Sequence, residues 1–130
     1  MAEDARIAAH RLKAEARLGA ARELLVGHRY EDAISRCYYA AFHAATAALL
    51  VRGIEAKTHG GLRALFALHL VQTGLVARPV GRSLEVLYDN RRRSDDEVSF
   101  DFGADDAEAA LNAAEGFVGA CSSVSPAPQA

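Results

Sequence analysis

Few features of this 130-residue chain point to crosslinks, sheets or a membrane. Its two cysteines, Cys37 and Cys121, make no disulfide framework. Each reads as a small buried apolar residue in a reducing cytoplasm. The alternation of β-branched and polar residues that marks a half-buried strand is absent. The opening stretch, MAEDARIAAHRLKAEARL, is charged throughout and is not expected to be a signal peptide. Ala44–Val51 is mostly apolar, but the full run Ala33–Val51 is broken by Arg36 and His43 and ends at Arg52, too short and too polar for a membrane span. A net charge of −2 gives no general attraction to a nucleic-acid backbone, although Arg91–Arg92–Arg93 is a local basic patch. No His-x3-His pair, Cys-x2-Cys pair or carboxylate cluster stands at ligand spacing on one helix face. Neither a metal nor another cofactor is therefore expected.

Apolar residues make up 51% of the chain and charged residues 25%, ordinary values for one globular domain with a real core. Apolar spacings of three and four recur, so the fold class is all-α. The first helix is expected over about Glu3–Val26, with Ile7, Ala14, Leu18, Ala21 and Leu25 inside and Gly27 as its C-cap. A second, from Tyr30 to Arg52, should pack back on it as an antiparallel hairpin. A third covers about Gly61–Thr73, with Thr58 available as its cap. A fourth runs from about Val80 to Ser94, with Pro79 at its start, and a fifth from Ala104 to Cys121. Ser94–Gly103, with Phe100 and Phe102, reads as a loop. Residues 1–121 form one domain, and 122–130 are expected to be a disordered tail.

The chain centres on Ala33–Val51, AISRCYYAAFHAATAALLV, a helix with a single formal charge at Arg36. Seven residues are close to two turns, so Arg36 and His43 share nearly one line, roughly 10 Å apart along the axis. Tyr39 falls between them on the same side. Ile34, Ala41, Phe42, Ala45 and Leu49 take the other side. Arg36 can hold a phosphate, His43 can move a proton, and Tyr39 can orient one of them. Together they suffice for RNA cleavage without a metal. The structural alternative is a buried Arg36 paired with a carboxylate of another helix, Asp95 or Asp89, and a core His43 bonded to a backbone carbonyl.

Three other groups carry polar chemistry. Asn90–Glu97 is either a phosphate-binding edge, with Arg91 and Arg92, or a solvated helix end in which Arg91 pairs with Asp95. Lys57–Thr58–His59–Gly60–Gly61 can meet an anion on free backbone N–H groups, but it lacks the spacing of a nucleotide loop and a cap is the plainer role. His10, His28 and His69 are scattered.

The segment SRCYYAAFHAATAALL (Ser35–Leu50), then Gly53, KTHGG (Lys57–Gly61), Phe66, Gly74 and LxxLYDxRxxxD (Leu84–Asp95), resembles the HEPN domain family over about Glu31–Phe100. The resemblance implies an up-and-down helical bundle of four long helices plus one short, often a homodimer. It implies a metal-independent ribonuclease of toxin–antitoxin or defence systems, with an Arg, four to six residues, then a His, given by both subunits. Arg36 and His43 meet that spacing at its upper limit. Lys57, His59, Arg91 and Arg92 would contact RNA or a nucleotide, and the partner would be a minimal nucleotidyltransferase antitoxin. In toxin members the motif often lies in a later helix, and the similar place here reads Arg91-x3-Asp95. That departure leaves a second function open, a non-catalytic module that docks a nucleotidyltransferase or binds a nucleotide.

Overall fold

The computed structural model of the protein describes residues 4–97 and 101–128. Five α-helices follow one another: α1 Ala5–Val26, α2 Tyr30–Val51, α3 His59–Phe66, α4 Arg78–Asp96 and α5 Ala104–Ser122. No strand occurs among the described residues. Residue pairs fix the directions. His10 meets His43 and Arg6 meets Glu55, so α1 runs antiparallel to α2. Tyr38 meets Tyr88, and the Ser94 hydroxyl donates to the Glu31 carbonyl, so α4 is also antiparallel to α2. Arg52 donates to the Ser125 carbonyl just beyond α5, so α5 runs with α2. The result is an up-and-down bundle in which α3 bridges the crossing from α2 to α4.

Helix α2 touches all the other helices. Its sequence explains how. Ala33, Ala40, Ala41, Ala44, Ala45, Ala47 and Ala48 are all buried, and side chains this small let neighbouring helices approach on several sides. Larger residues fill the spaces between: Ile34, Tyr38 and Leu49 from α2, Leu18 from α1, Leu84 and Leu87 from α4, and Phe117 from α5, whose ring lies tilted against Phe66 of α3. Burying a side chain of that size stabilises the fold by about 1.5–3 kcal/mol.

Local chemistry sets the ends. The Asp4 carboxylate accepts the Arg6 backbone N–H at 2.9 Å and starts α1. Thr58 accepts the Gly61 N–H at 2.8 Å, the cap expected for the third helix. Asp106 accepts the Gly103 N–H at 2.9 Å and starts α5. Gly27 does follow α1, but with φ −80°; the left-handed residue of that turn is His28, at φ 62°. The third helix is shorter than the spacing implied. After Phe66 the chain widens into a π-helical turn, Ala67–Val71, whose Val71 lies against Gly81 of α4. A Cβ on Gly81 would fall 2.6 Å from a Val71 methyl, so this contact needs glycine.

Two boundaries move outward. α4 continues past Ser94 to Asp96, held by Arg91–Asp95, Arg92–Asp89 and Arg93–Asp89 pairs along its last turns. Beyond α5, Val124 is buried at 7% exposure, so packing continues past the boundary expected at Cys121. Phe100 lies outside the described residues. Both cysteines are buried and free, and burial pushes the Cys37 thiol up to about 12, which leaves it unreactive. No helix among the described residues is long and apolar enough to cross a membrane.

Two substitutions should move stability in opposite directions, measured as urea midpoints. Gly81→Ala should cost about 1–3 kcal/mol, because the new methyl overpacks Val71. His28→Gly should gain about 0.5–1 kcal/mol, because glycine takes positive φ without a steric penalty.

Candidate functional site

Half of the residues of α2 are buried, and one face along its middle stays partly open. It carries Arg36, Tyr39, Phe42, His43, Thr46 and Leu50, all exposed or half-buried. The helical period places these residues on one side, which α1 and the start of α3 cover only in part. Phe42, expected inside, belongs to this open face. It is half-buried and stacks flat on His59, with centroids 4.2 Å apart and planes within 12°.

A row of rings crosses the face from α1 to α4. His10 of α1 and His43 of α2 approach through their Nδ1 atoms at 3.0 Å. His43 meets the edge of Phe42 at 5.2 Å, and Phe42 stacks on His59 at the start of α3. The Tyr38 hydroxyl lies 3.0 Å from His59 Nδ1. The buried Tyr38 ring then meets Tyr88 of α4 edge-on at 5.7 Å. Arg63 sits 3.7 Å over the Tyr88 ring, and Arg91 lies 5.4 Å from the Tyr38 ring.

The electrostatics differ along the row. Burial lowers His43 to about 4, helped by His10, Lys13, Arg17 and His59 around it. Burial also lowers His10, with Lys13 and Arg6 adding to it. Both imidazoles are therefore neutral near neutral pH. Burial raises the Tyr38 phenol despite the nearby Arg91 and Arg63, so its hydroxyl keeps its proton.

The charged residues fall out differently from the structural alternative read in the sequence. Arg36 is exposed and has no ion-pair or hydrogen-bond partner among the described residues. It does not bridge to Asp95 or Asp89. Asp95 accepts from Arg91 at 3.0 Å, while Asp89 pairs with Arg92 and Arg93. Those arginines stand one turn away on the same helix and reach the carboxylates first. Arg92 also lies 3.9 Å from Glu97, so it is committed within α4. Tyr39 packs edge-on against Tyr38 and His59, and the tyrosine that bonds His59 is Tyr38.

Beside the row lies a cleft of about 470 Å³ between α1, α2 and the segment leading into α3. Leu49, Leu50, Ile54 and Leu62 form its apolar wall. Arg6, His10, Thr46, Lys57, Thr58 and His59 supply polar groups. The structure thus brings Lys57 and His59 to the same side as His43 and keeps Arg91 near the Tyr38 end. No group of three or more metal-ligating side chains occurs among the described residues.

Sequence reasoning did not find His10, Tyr38, Arg63 or Tyr88. For His10 a signal existed. Counting outward from the turn at Gly27–Arg29, His10 and His43 fall at similar heights on the two arms of the hairpin. For the others the packing angle of α3 decides, and no spacing reports it.

An all-α up-and-down bundle, with an Arg, a Tyr and a His on the open face of its central helix, defines the class. The HEPN domain family matches residues 7–124, and the chain belongs to that family. A Methanocaldococcus jannaschii protein named "putative toxin" is 38% identical over 82 residues, 63% of this chain and 61% of its own length. A Pyrococcus horikoshii UPF0332 protein is 41% identical over 70 residues, covering 54% of this chain and 49% of the relative. A Thermotoga maritima UPF0332 protein is 31% identical over 110 residues, 85% of this chain and 83% of its own. The chain thus spans about half to three fifths of the first two relatives and most of the third.

The lowered histidines make stability depend on pH. Below about 6.5, the ordinary histidine value, the unfolded chain binds more protons than the folded one. Stability should be full above that value and decline as pH falls toward 4, the value to which His43 is depressed. The urea midpoint should drop between about pH 7 and about pH 5, and His43→Gln should flatten that slope.

Proposed function

We propose that this protein is a metal-independent ribonuclease of toxin type, acting as a cytoplasmic homodimer. One observation carries the reading: the partly open face of the central helix presents an uncommitted guanidinium, Arg36, and a neutral imidazole, His43. His43 accepts the proton of a ribose 2′-hydroxyl. The freed oxygen attacks the adjacent phosphorus, the P–O5′ bond breaks, and a 2′,3′-cyclic phosphate forms. The 5′-oxygen takes up a proton from the protonated imidazole. Arg36 holds the charge that builds on the phosphate oxygens. About 10 Å separates the two residues along one helix, so Arg36 of one subunit serves His43 of the other. Tyr39, which falls between them on the same side of the helix, orients the site, while Lys57 and His59 meet the RNA strand at the cleft. Arg91 and Arg92, tied to Asp95 and Asp89, have a smaller share in steering RNA.

The name "putative toxin" of two Methanocaldococcus jannaschii relatives supports toxin activity. The partner we propose is a minimal nucleotidyltransferase acting as antitoxin, as the family resemblance implies. A second reading is a non-catalytic module that docks this partner or binds a nucleotide. What favours it is Asp95, which holds Arg91 where toxin members often carry the catalytic His.

The test is cleavage of labelled single-stranded RNA in EDTA by the folded protein. His43→Ala and Arg36→Ala should each reduce cleavage by about 10²-fold or more. Intact RNA after incubation with the parent dimer, or full activity in His43→Ala, would replace the ribonuclease with the binding module.

A further inference from the structure

His10 is outside the Arg36–Tyr39–His43 set, yet it makes one of the two 3.0 Å polar contacts of the row. Its Nδ1 lies 3.0 Å from His43 Nδ1, with ring centroids 5.2 Å apart and planes inclined by 29°. Two imidazole nitrogens at this distance cannot both carry hydrogen; one donates and the other accepts. The proton count of the pair follows. With both rings neutral, the donor has a bare Nε2 and the acceptor carries Nε2–H. A third proton fits on the donor's Nε2 without disturbing the bond. A fourth sets N–H against N–H and breaks it. Each ring's outer nitrogen is therefore governed by its neighbour's inner one.

We infer that His10 is a positioning residue for His43: its Nδ1 accepts the His43 Nδ1–H and so leaves His43 Nε2 as the bare nitrogen that takes a proton from substrate. This rests on the reading of His43 as the general base. A base needs the lone pair on its outer nitrogen, and only the tautomer with hydrogen on Nδ1 provides it. The surroundings favour a pair without excess protons. Arg6, Lys13 and Arg17 face it from α1, and His59 from the start of α3. Lys57 and Glu55 share the cleft that His10 lines, and Glu55 is engaged by Arg6 at 2.9 Å. The third proton, gained during reaction, is held at His43 Nε2 while the Nδ1 bond stays intact. Without His10 the ring can turn and either nitrogen can carry the hydrogen.

The experiment is a long-range ¹H–¹⁵N spectrum of the ¹⁵N-histidine-labelled protein at neutral pH, followed through a pH titration. Hydrogen is expected on His43 Nδ1 and not on Nε2, with the reverse at His10. In His10→Ala, His43 should populate both tautomers, and its titration should move upward as the ring loses part of its burial and the charge of His10. His10→Asn, whose amide oxygen can accept in place of Nδ1, should restore the Nδ1–H tautomer. If His10→Ala does not fold, the parent spectrum and His10→Asn decide. A bare His43 Nδ1 in the parent, or a tautomer and titration unmoved in His10→Ala, overturns the assignment. No RNA enters these measurements. A parent with the expected spectrum that cleaves nothing defeats the ribonuclease alone; a parent that cleaves RNA with the opposite tautomer defeats only the role of His10.

Discussion

The close packing of neighbours around α2 is the constraint on which the rest depends. Seven buried alanines give this helix a thin outline, so α1, α4 and α5 can all approach it. Larger side chains at those positions would hold the helices apart, and the four-helix core would not close. A helix enclosed on three sides has one strip left. That strip holds Arg36, Tyr39, Phe42, His43 and Thr46, and the polar groups of the protein gather where packing leaves room.

Enclosure also sets the chemistry of the strip. A histidine on a fully wet helix would titrate in its ordinary range. His43 lies against α1 and Phe42, loses much of its hydration, and faces the cations Lys13 and Arg17. The same crowding makes the His10 contact possible, since α1 comes close enough for two ring nitrogens to share a hydrogen. Arg36 sits nearer the start of α2, outside the row of rings, and is exposed. Its guanidinium has no ion-pair partner among the described residues.

The carboxylates of α4 illustrate how local pairing pre-empts long-range pairing. Asp89 and Asp95 are close in sequence to three arginines, and helical spacing puts each pair within reach at no cost in chain entropy. A bridge from Asp95 to Arg36 would have to span two helices instead. The shorter connection prevails, and it lengthens α4 by binding its last turns together.

The sequence by itself determined the helices and their order, because apolar spacing, Thr58, Pro79 and the glycines act locally on a few neighbouring residues. It also determined that Arg36, Tyr39 and His43 share one face, since the helical period alone dictates that. The place where α3 gives way to a π-helical turn was not written in any spacing, and the turn ends at Val71, which packs against Gly81 on another helix. Tertiary structure decided which polar residues meet: His10 with His43, Tyr38 with His59, Phe42 with His59. Those meetings depend on how far and at what angle whole helices approach, a property of the packed core that no single helix contains.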